Sequence, residues 1–115
     1  MPGLSIHVVD VARGQPAMGM HVEVYTLAPE RRQLAAGDLS ESGALEDAIT
    51  GQRLDAGPYE VIFHAGAFFA SAGVMQATPP FLDEVPFRFT ISDSAQHYHL
   101  PMKMTPWGYS VFRGS

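Results

Sequence analysis

Along most of the chain apolar and polar side chains alternate one by one over short runs, the period of a strand with one face buried. Leu4 to Val11 opens the pattern, with Ile6 and Val8 on one face and Ser5, His7 and Val9 on the other. Met20 to Leu27 repeats it, setting Val22, Val24 and Thr26 against His21, Glu23 and Tyr25. A weaker strand is predicted over Gln33 to Asp38, and a clear one over Tyr59 to His64, announced by Gly57-Pro58. Three more follow, over Phe87 to Ile91, His97 to Met104 and Tyr109 to Arg113. Ala12 to Pro16, Ser40 to Gly43 and Thr105 to Gly108 read as turns, where Gly and Pro supply the special backbone angles. Ala67 to Gly73, small and apolar, predicts a helix of about two turns. Thr78-Pro79-Pro80 then breaks the chain. Seven or eight short strands separated by turns point to an all-β, two-sheet sandwich, one domain over residues 1–115.

Charge narrows the partners. Twelve acidic residues oppose seven scattered basic ones, a formal net charge of −5. A phosphate-binding surface needs clustered Lys and Arg, so nucleic acid is not an expected partner. No apolar run approaches the roughly 20 residues that span a bilayer, so no membrane partner is expected either. There is no cysteine, which removes disulfides and thiolate metal sites. Met1-Pro2-Gly3 leads straight into the first strand, leaving no room for a signal peptide, and a cytoplasmic location is the expectation.

Chemistry, if present, rests with the histidines. His97 and His99 flank Tyr98 in one strand, so both imidazoles share a face and Tyr98 takes the other. Such a pair suits general-base work or oxyanion stabilisation near neutral pH. It also suits zinc, given a third ligand elsewhere, or a plain solvated face. His7 stands mid-strand with Ser5 and Val9 on its face, placed for chemistry or simply half buried. His21 and His64 have no polar companion at useful spacing and read as surface residues. Glu46-Asp47 and Asp83-Glu84 read as solvated loop charges. Neither a nucleophile elbow, a phosphate loop nor a paired-carboxylate signature occurs.

Two stretches resemble a known family. Leu4-Ser5-Ile6-His7-Val8-Val9-Asp10 with Arg13-Gly14 and Pro16-Ala17 is similar to the opening of the 5-hydroxyisourate hydrolases. His97-Tyr98-His99-Leu100-Pro101, Thr105-Pro106-Trp107-Gly108-Tyr109-Ser110 and the terminal Phe112-Arg113-Gly114-Ser115 resemble their closing signature. The resemblance extends over nearly the whole chain. The Arg-Gly-Ser ending also separates these enzymes from transthyretin, a hormone carrier of the same fold.

The resemblance implies a transthyretin-like sandwich of eight strands with one short helix. It implies a homotetramer whose site lies in a central channel, and an oxidised purine as the small-molecule substrate, opened hydrolytically without metal or cofactor. His7, His99 and Ser115 fall on the family's catalytic positions, and Phe112 falls where a substrate-contacting Tyr is usual. Arg113 is expected beside the substrate with it. The family carries a substrate-contacting Arg directly after the glycine of the Ser40–Gly43 turn, and here that position is Ala44. Lys103, on the face of His99 and Pro101, replaces an apolar residue. Either Lys103 supplies the missing positive charge, or the pocket suits a less polar, N-methylated hydroxyisourate. The competing reading is a non-catalytic, transthyretin-like binding protein.

Overall fold

The alternating apolar positions fold onto one another to make the interior of a sandwich. The structure is a computed structural model and describes residues 2–46 and 48–114. Its strands are β1 (Gly3–Asp10), β2 (Gln15–Pro16), β3 (His21–Thr26), β4 (Arg32–Asp38), β5 (Gly57–His64), β6 (Glu84–Ile91), β7 (His97–Thr105) and β8 (Gly108–Val111). A 3-10 turn (Ala48–Thr50) follows β4, and the one α-helix among the described residues, α1 (Ala65–Ser71), follows β5. One sheet has the order β2-β1-β7-β8 and the other β4-β3-β5-β6. The eight-strand sandwich with one short helix expected above is what the chain forms.

Inward residues of the first sheet are Leu4, Ile6 and Val8 with Leu100, Met102 and Met104; those of the second are Val22, Val24, Val61 and Phe63. All are almost wholly buried. Each such side chain contributes about 1.5–3 kcal/mol on transfer from water. Phe69 and Ala65 of α1 join this core, which is why a seven-residue helix, too short to persist alone, is held.

Most pairings are antiparallel, but β1 and β7 run parallel, bringing together strands from opposite ends of the chain. The register sets Gly3 beside His97, Ser5 beside His99, His7 beside Pro101 and Val9 beside Lys103. Since inward and outward positions alternate, this aligns all the outward residues of both strands on one face.

Several boundaries differ from the expectation. Gln15–Pro16, read as the end of a turn, pairs with Val9 and Asp10 as β2. Buried Asp10 organises that hairpin: its carboxylate accepts from the Arg13 backbone N–H at 3.1 Å and from Arg13 Nε at 2.7 Å. The helix starts two residues earlier than predicted. Strand β6 begins at Glu84, so Glu84 is a strand residue paired with His64 and not a loop charge. Pro86 within it is tolerated because β6 is an edge strand with one unpaired side. Strand β8 stops at Val111, leaving Phe112 and Arg113 outside it. No helix of the described residues is long and apolar enough to cross a membrane.

Candidate active site

The outer face of the β2-β1-β7-β8 sheet gathers Ser5 and His7 from β1 with His97, His99, Pro101 and Lys103 from β7. Ser5 lies between the paired histidines. Its Oγ is 2.8 Å from His97 Nε2 and 2.7 Å from His99 Nδ1, and His97 Nδ1 is 3.3 Å from the Pro2 carbonyl. The direction of this chain follows from what each group can do. A carbonyl only accepts, so His97 Nδ1 carries a hydrogen. With His97 neutral, its Nε2 then accepts the Ser5 hydroxyl proton, and Ser5 Oγ in turn accepts from His99 Nδ1–H. That leaves His99 Nε2 with a free lone pair.

The surroundings keep His99 unprotonated. Desolvation holds its pKa below the ordinary 6.5, and the charges of His7 and then His97 push the same way. A neutral, oriented imidazole with a free Nε2 is a general base.

Two backbone segments close on this face. The 40–45 turn lies along β1: Val8 N–H donates to the Gly43 carbonyl at 2.9 Å and Leu45 N–H to the Ile6 carbonyl at 3.1 Å. This brackets His7 and puts Ala44 in a bridge with it. Gly43 has φ +81°, and a Cβ there would come within 2.5 Å of the Val8 carbonyl oxygen, so only glycine lets the turn sit so close. At the other end Gly114 N–H donates to the His99 carbonyl at 2.7 Å. A Cβ on Gly114 would stand 2.9 Å from His99 Cδ2, so the tail's backbone lies flat against the imidazole.

The expected site residues divide as follows. His7, His99, Lys103 and Ala44 meet on or beside one face, and Phe112, continuing the β7–β8 register, stands opposite Pro101 and is 54% exposed. Ser115 lies outside the described residues. Arg113 goes elsewhere. It falls opposite Leu100, its guanidinium stacks 3.9 Å from the Tyr98 ring centroid, and it donates to Gln96 Oε1 at 2.9 Å. It stays exposed and ties the tail to Tyr98 and Gln96.

Ser5 and His97 act on His99 without having been singled out as a unit. The i, i+2 spacing of the two histidines was visible, but the hydroxyl that joins them is some 90 residues away in sequence. The reading of His21 and His64 as lacking polar companions is corrected too. His64 Nε2 hydrogen-bonds Glu23 Oε2, and His21 Nδ1 lies 2.9 Å from Asp38 Oδ1. Those partners come from the β3–β4 and β3–β5 pairings, which spacing along the chain does not reveal.

Fold and site together define a transthyretin-type sandwich with a histidine cluster built on the outside of one sheet. Residues 4–114 match the HIUase/Transthyretin family model, and the chain belongs to that family. It is 43% identical over 116 residues to a 5-hydroxyisourate hydrolase of Deinococcus radiodurans, covering 99% of this chain and 97% of that one. In three dimensions it is similar to Klebsiella pneumoniae 5-hydroxyisourate hydrolase, with TM-score 0.82, 30% identity and full coverage of both chains. It is equally similar to sea bream transthyretin in complex with thyroxine, with TM-score 0.83, 25% identity, and 97% and 94% coverage. The backbone alone therefore does not separate a 5-hydroxyisourate hydrolase from a thyroxine-bound transthyretin, and the distinction falls on side chains.

Proposed function

We propose that the chain is a hydrolase that opens the ring of 5-hydroxyisourate in urate degradation, with no cofactor. The observation that carries this reading is the His99 imidazole, held at Nδ1 by the Ser5 hydroxyl on the outer face of the sheet, which leaves Nε2 as the nitrogen available for chemistry. The sequence likeness to 5-hydroxyisourate hydrolases supports it.

In the proposed reaction a water gives its proton to His99 Nε2 as its oxygen bonds to the ring carbonyl carbon. The carbon–nitrogen bond of the cyclic amide then breaks, and the proton on Nε2 passes to the departing nitrogen. His7, diagonal to His99 on the same face, is the donor assigned to the developing oxyanion. Ser115, next in sequence to the glycine beside His99, is assigned the third catalytic place from the family resemblance. Phe112 and Ala44 bound the substrate's apolar edges, and Lys103 offers the nearest positive charge. Arg113 acts on the tail and not on substrate.

The face is open in the single chain, so the reaction needs a second wall to exclude water. A homotetramer that places this face in a central channel provides one, and a cytoplasmic enzyme is the corresponding cellular reading.

One observation favours a variant of this reading. Ala44 presents only a methyl group beside His7, where the family resemblance places a guanidinium. An N-methylated hydroxyisourate has fewer N–H groups and more bulk, which suits such a wall. The test is a spectrophotometric decay assay on freshly generated 5-hydroxyisourate, run beside its trimethylated analogue, with wild type and His99→Ala. Rapid loss of the unmethylated compound, reduced about 10³-fold in a folded His99→Ala variant, is the expected result. Preference for the methylated compound would transfer the assignment to it. Acceleration of neither would withdraw the hydrolase and leave a ligand-binding face.

A further inference from the structure

The outer face of the other sheet carries a second histidine cluster that the proposed reaction does not use. His21 and Glu23 are alternate residues of β3, so they share a face, and His64 at the end of β5 is brought against them by the antiparallel pairing of the two strands. One donor atom from each of the three lies within 4.8 Å of the others. Among the described residues, they are the one group of three or more His, Cys, Asp or Glu so arranged. The two rings are tilted at 60° with centroids 5.2 Å apart, so they converge and do not stack.

We propose that His21, Glu23 and His64 form a binding site for a divalent transition-metal ion, zinc in the first place. Two imidazoles and a carboxylate are a donor set suited to zinc, which takes three protein ligands and leaves a fourth position open. The outer partners are also those of a metal site. Asp38 accepts from His21 Nδ1 at 2.9 Å, the carboxylate partner that orients a ligating imidazole and leaves Nε2 for the ion. Tyr25 O–H donates to Glu23 Oε1 at 2.5 Å, fixing the carboxylate so that Oε2 is turned to His64.

A tetrahedral ion with bonds of about 2.0–2.2 Å needs donors roughly 3.4 Å apart. Glu23 and His64 are already in contact, and the His21 donor lies within 4.8 Å of both on a side chain that is 46% exposed, so a small rotation of the ring closes the set. Binding replaces the His64–Glu23 hydrogen bond by two bonds to the ion, the proton on His64 Nε2 leaving to Nδ1 or to solvent. The two histidines also line a cleft of about 320 Å³ between the β2 hairpin and α1, bounded by Arg13, Met18, Phe68 and Ser71, from which a fourth ligand could reach the ion. His64 immediately precedes α1, so an ion here clamps β3 to the strand that carries the helix. The site is independent of the His7–His99 face and of any reaction there.

Equilibrium dialysis of the full chain against micromolar Zn²⁺, with Co²⁺ absorption as a second readout, tests the proposal. One ion per chain is expected, with Co²⁺ giving a visible tetrahedral d–d band. His21→Ala, Glu23→Gln and His64→Ala should each weaken binding by at least about 10²-fold, and Asp38→Asn by about 10-fold. His97→Ala and His99→Ala should leave it unchanged. Circular dichroism confirms that each variant is folded, and His21→Ala, a change at a largely exposed residue, keeps the test available if His64→Ala is not. Absence of stoichiometric binding, or binding lost with His97 or His99 and kept in the His21 and Glu23 variants, overturns the proposal.

Discussion

The two sheets of this sandwich bury similar aliphatic rows and differ in what they show to the outside. On the β2-β1-β7-β8 sheet the outer face is nearly free of carboxylates, and its histidines are tied to a serine hydroxyl and a backbone carbonyl. On the β4-β3-β5-β6 sheet the outer face carries carboxylates, each set against a guanidinium or an imidazole at Glu60, Glu23 and Asp38. Arg88 Nε donates to Glu60 Oε2 at 2.8 Å, Arg31 donates to Glu60 Oε1, and His64 and His21 meet Glu23 and Asp38. Neighbouring charge decides what a histidine can do. On the first sheet desolvation, and then the neighbouring imidazoles, hold the His99 pKa below its ordinary value and leave it available as a base. Beside carboxylates, an imidazole is drawn into ion pairing or metal ligation.

The contrast can be broken most sharply at Gly114. Ala at that position would press on His99 Cδ2, so Gly114→Ala is expected to lower kcat/KM by about 10²-fold while moving the melting temperature little. An equal loss of stability and activity would mean that the tail holds the fold and not the ring. Next in size is Ser5→Ala. Without the hydroxyl, His99 Nδ1 loses its acceptor and both tautomers are populated; kcat should fall about 10-fold with KM nearly unchanged, and Ser5→Thr should restore most of it.

The pH profile sharpens the same comparison. His99 acts as the free base and its pKa is depressed, so the midpoint of the acid limb of kcat/KM should lie below 6.5. A midpoint at or above that value would show that the His99 pKa is not depressed in solution. The smallest effect is expected on the other face. Hydrogen bonds from Arg88 and then Arg31 hold the Glu60 carboxyl below its ordinary 4.5. A depressed carboxyl stabilises the fold fully above the unfolded value and loses that contribution as pH drops through the folded one. Glu60→Gln should therefore cost about 1–2 kcal/mol near neutral pH, both guanidinium groups being partly solvated, and should flatten the acid limb of a thermal-melt series.

The sequence made some of this legible and hid the rest for definite reasons. Alternation put Ile6 and Val8 on one face, Val22 and Val24 on another, and His97 and His99 on a common one, because strand period is a local property. It could not say that Arg113 would turn to Tyr98, since that depends on β8 ending at Val111 while the register runs on. Nor could it show Glu23 beside His64 or Ser5 beside His99, since both contacts are made by strand pairing between distant segments. The family resemblance supplied His7 and His99 as catalytic candidates. The tie from Pro2 through His97 and Ser5 to His99 is seen only once the strands are side by side.

The parallel pairing of β1 with β7 also has a meaning in time. Until His97–Thr105 has been made, β1 has only the two-residue β2 as a strand neighbour, and Ser5 has neither imidazole to bind. A growing chain therefore carries this half of its candidate site exposed until β7 is made. Ser5 and its two imidazole partners lie 92 and 94 residues apart, and contacts of such long sequence separation close slowly. Competence and folding then arrive in one step, and a chain cut short before β7 has no partial activity to offer.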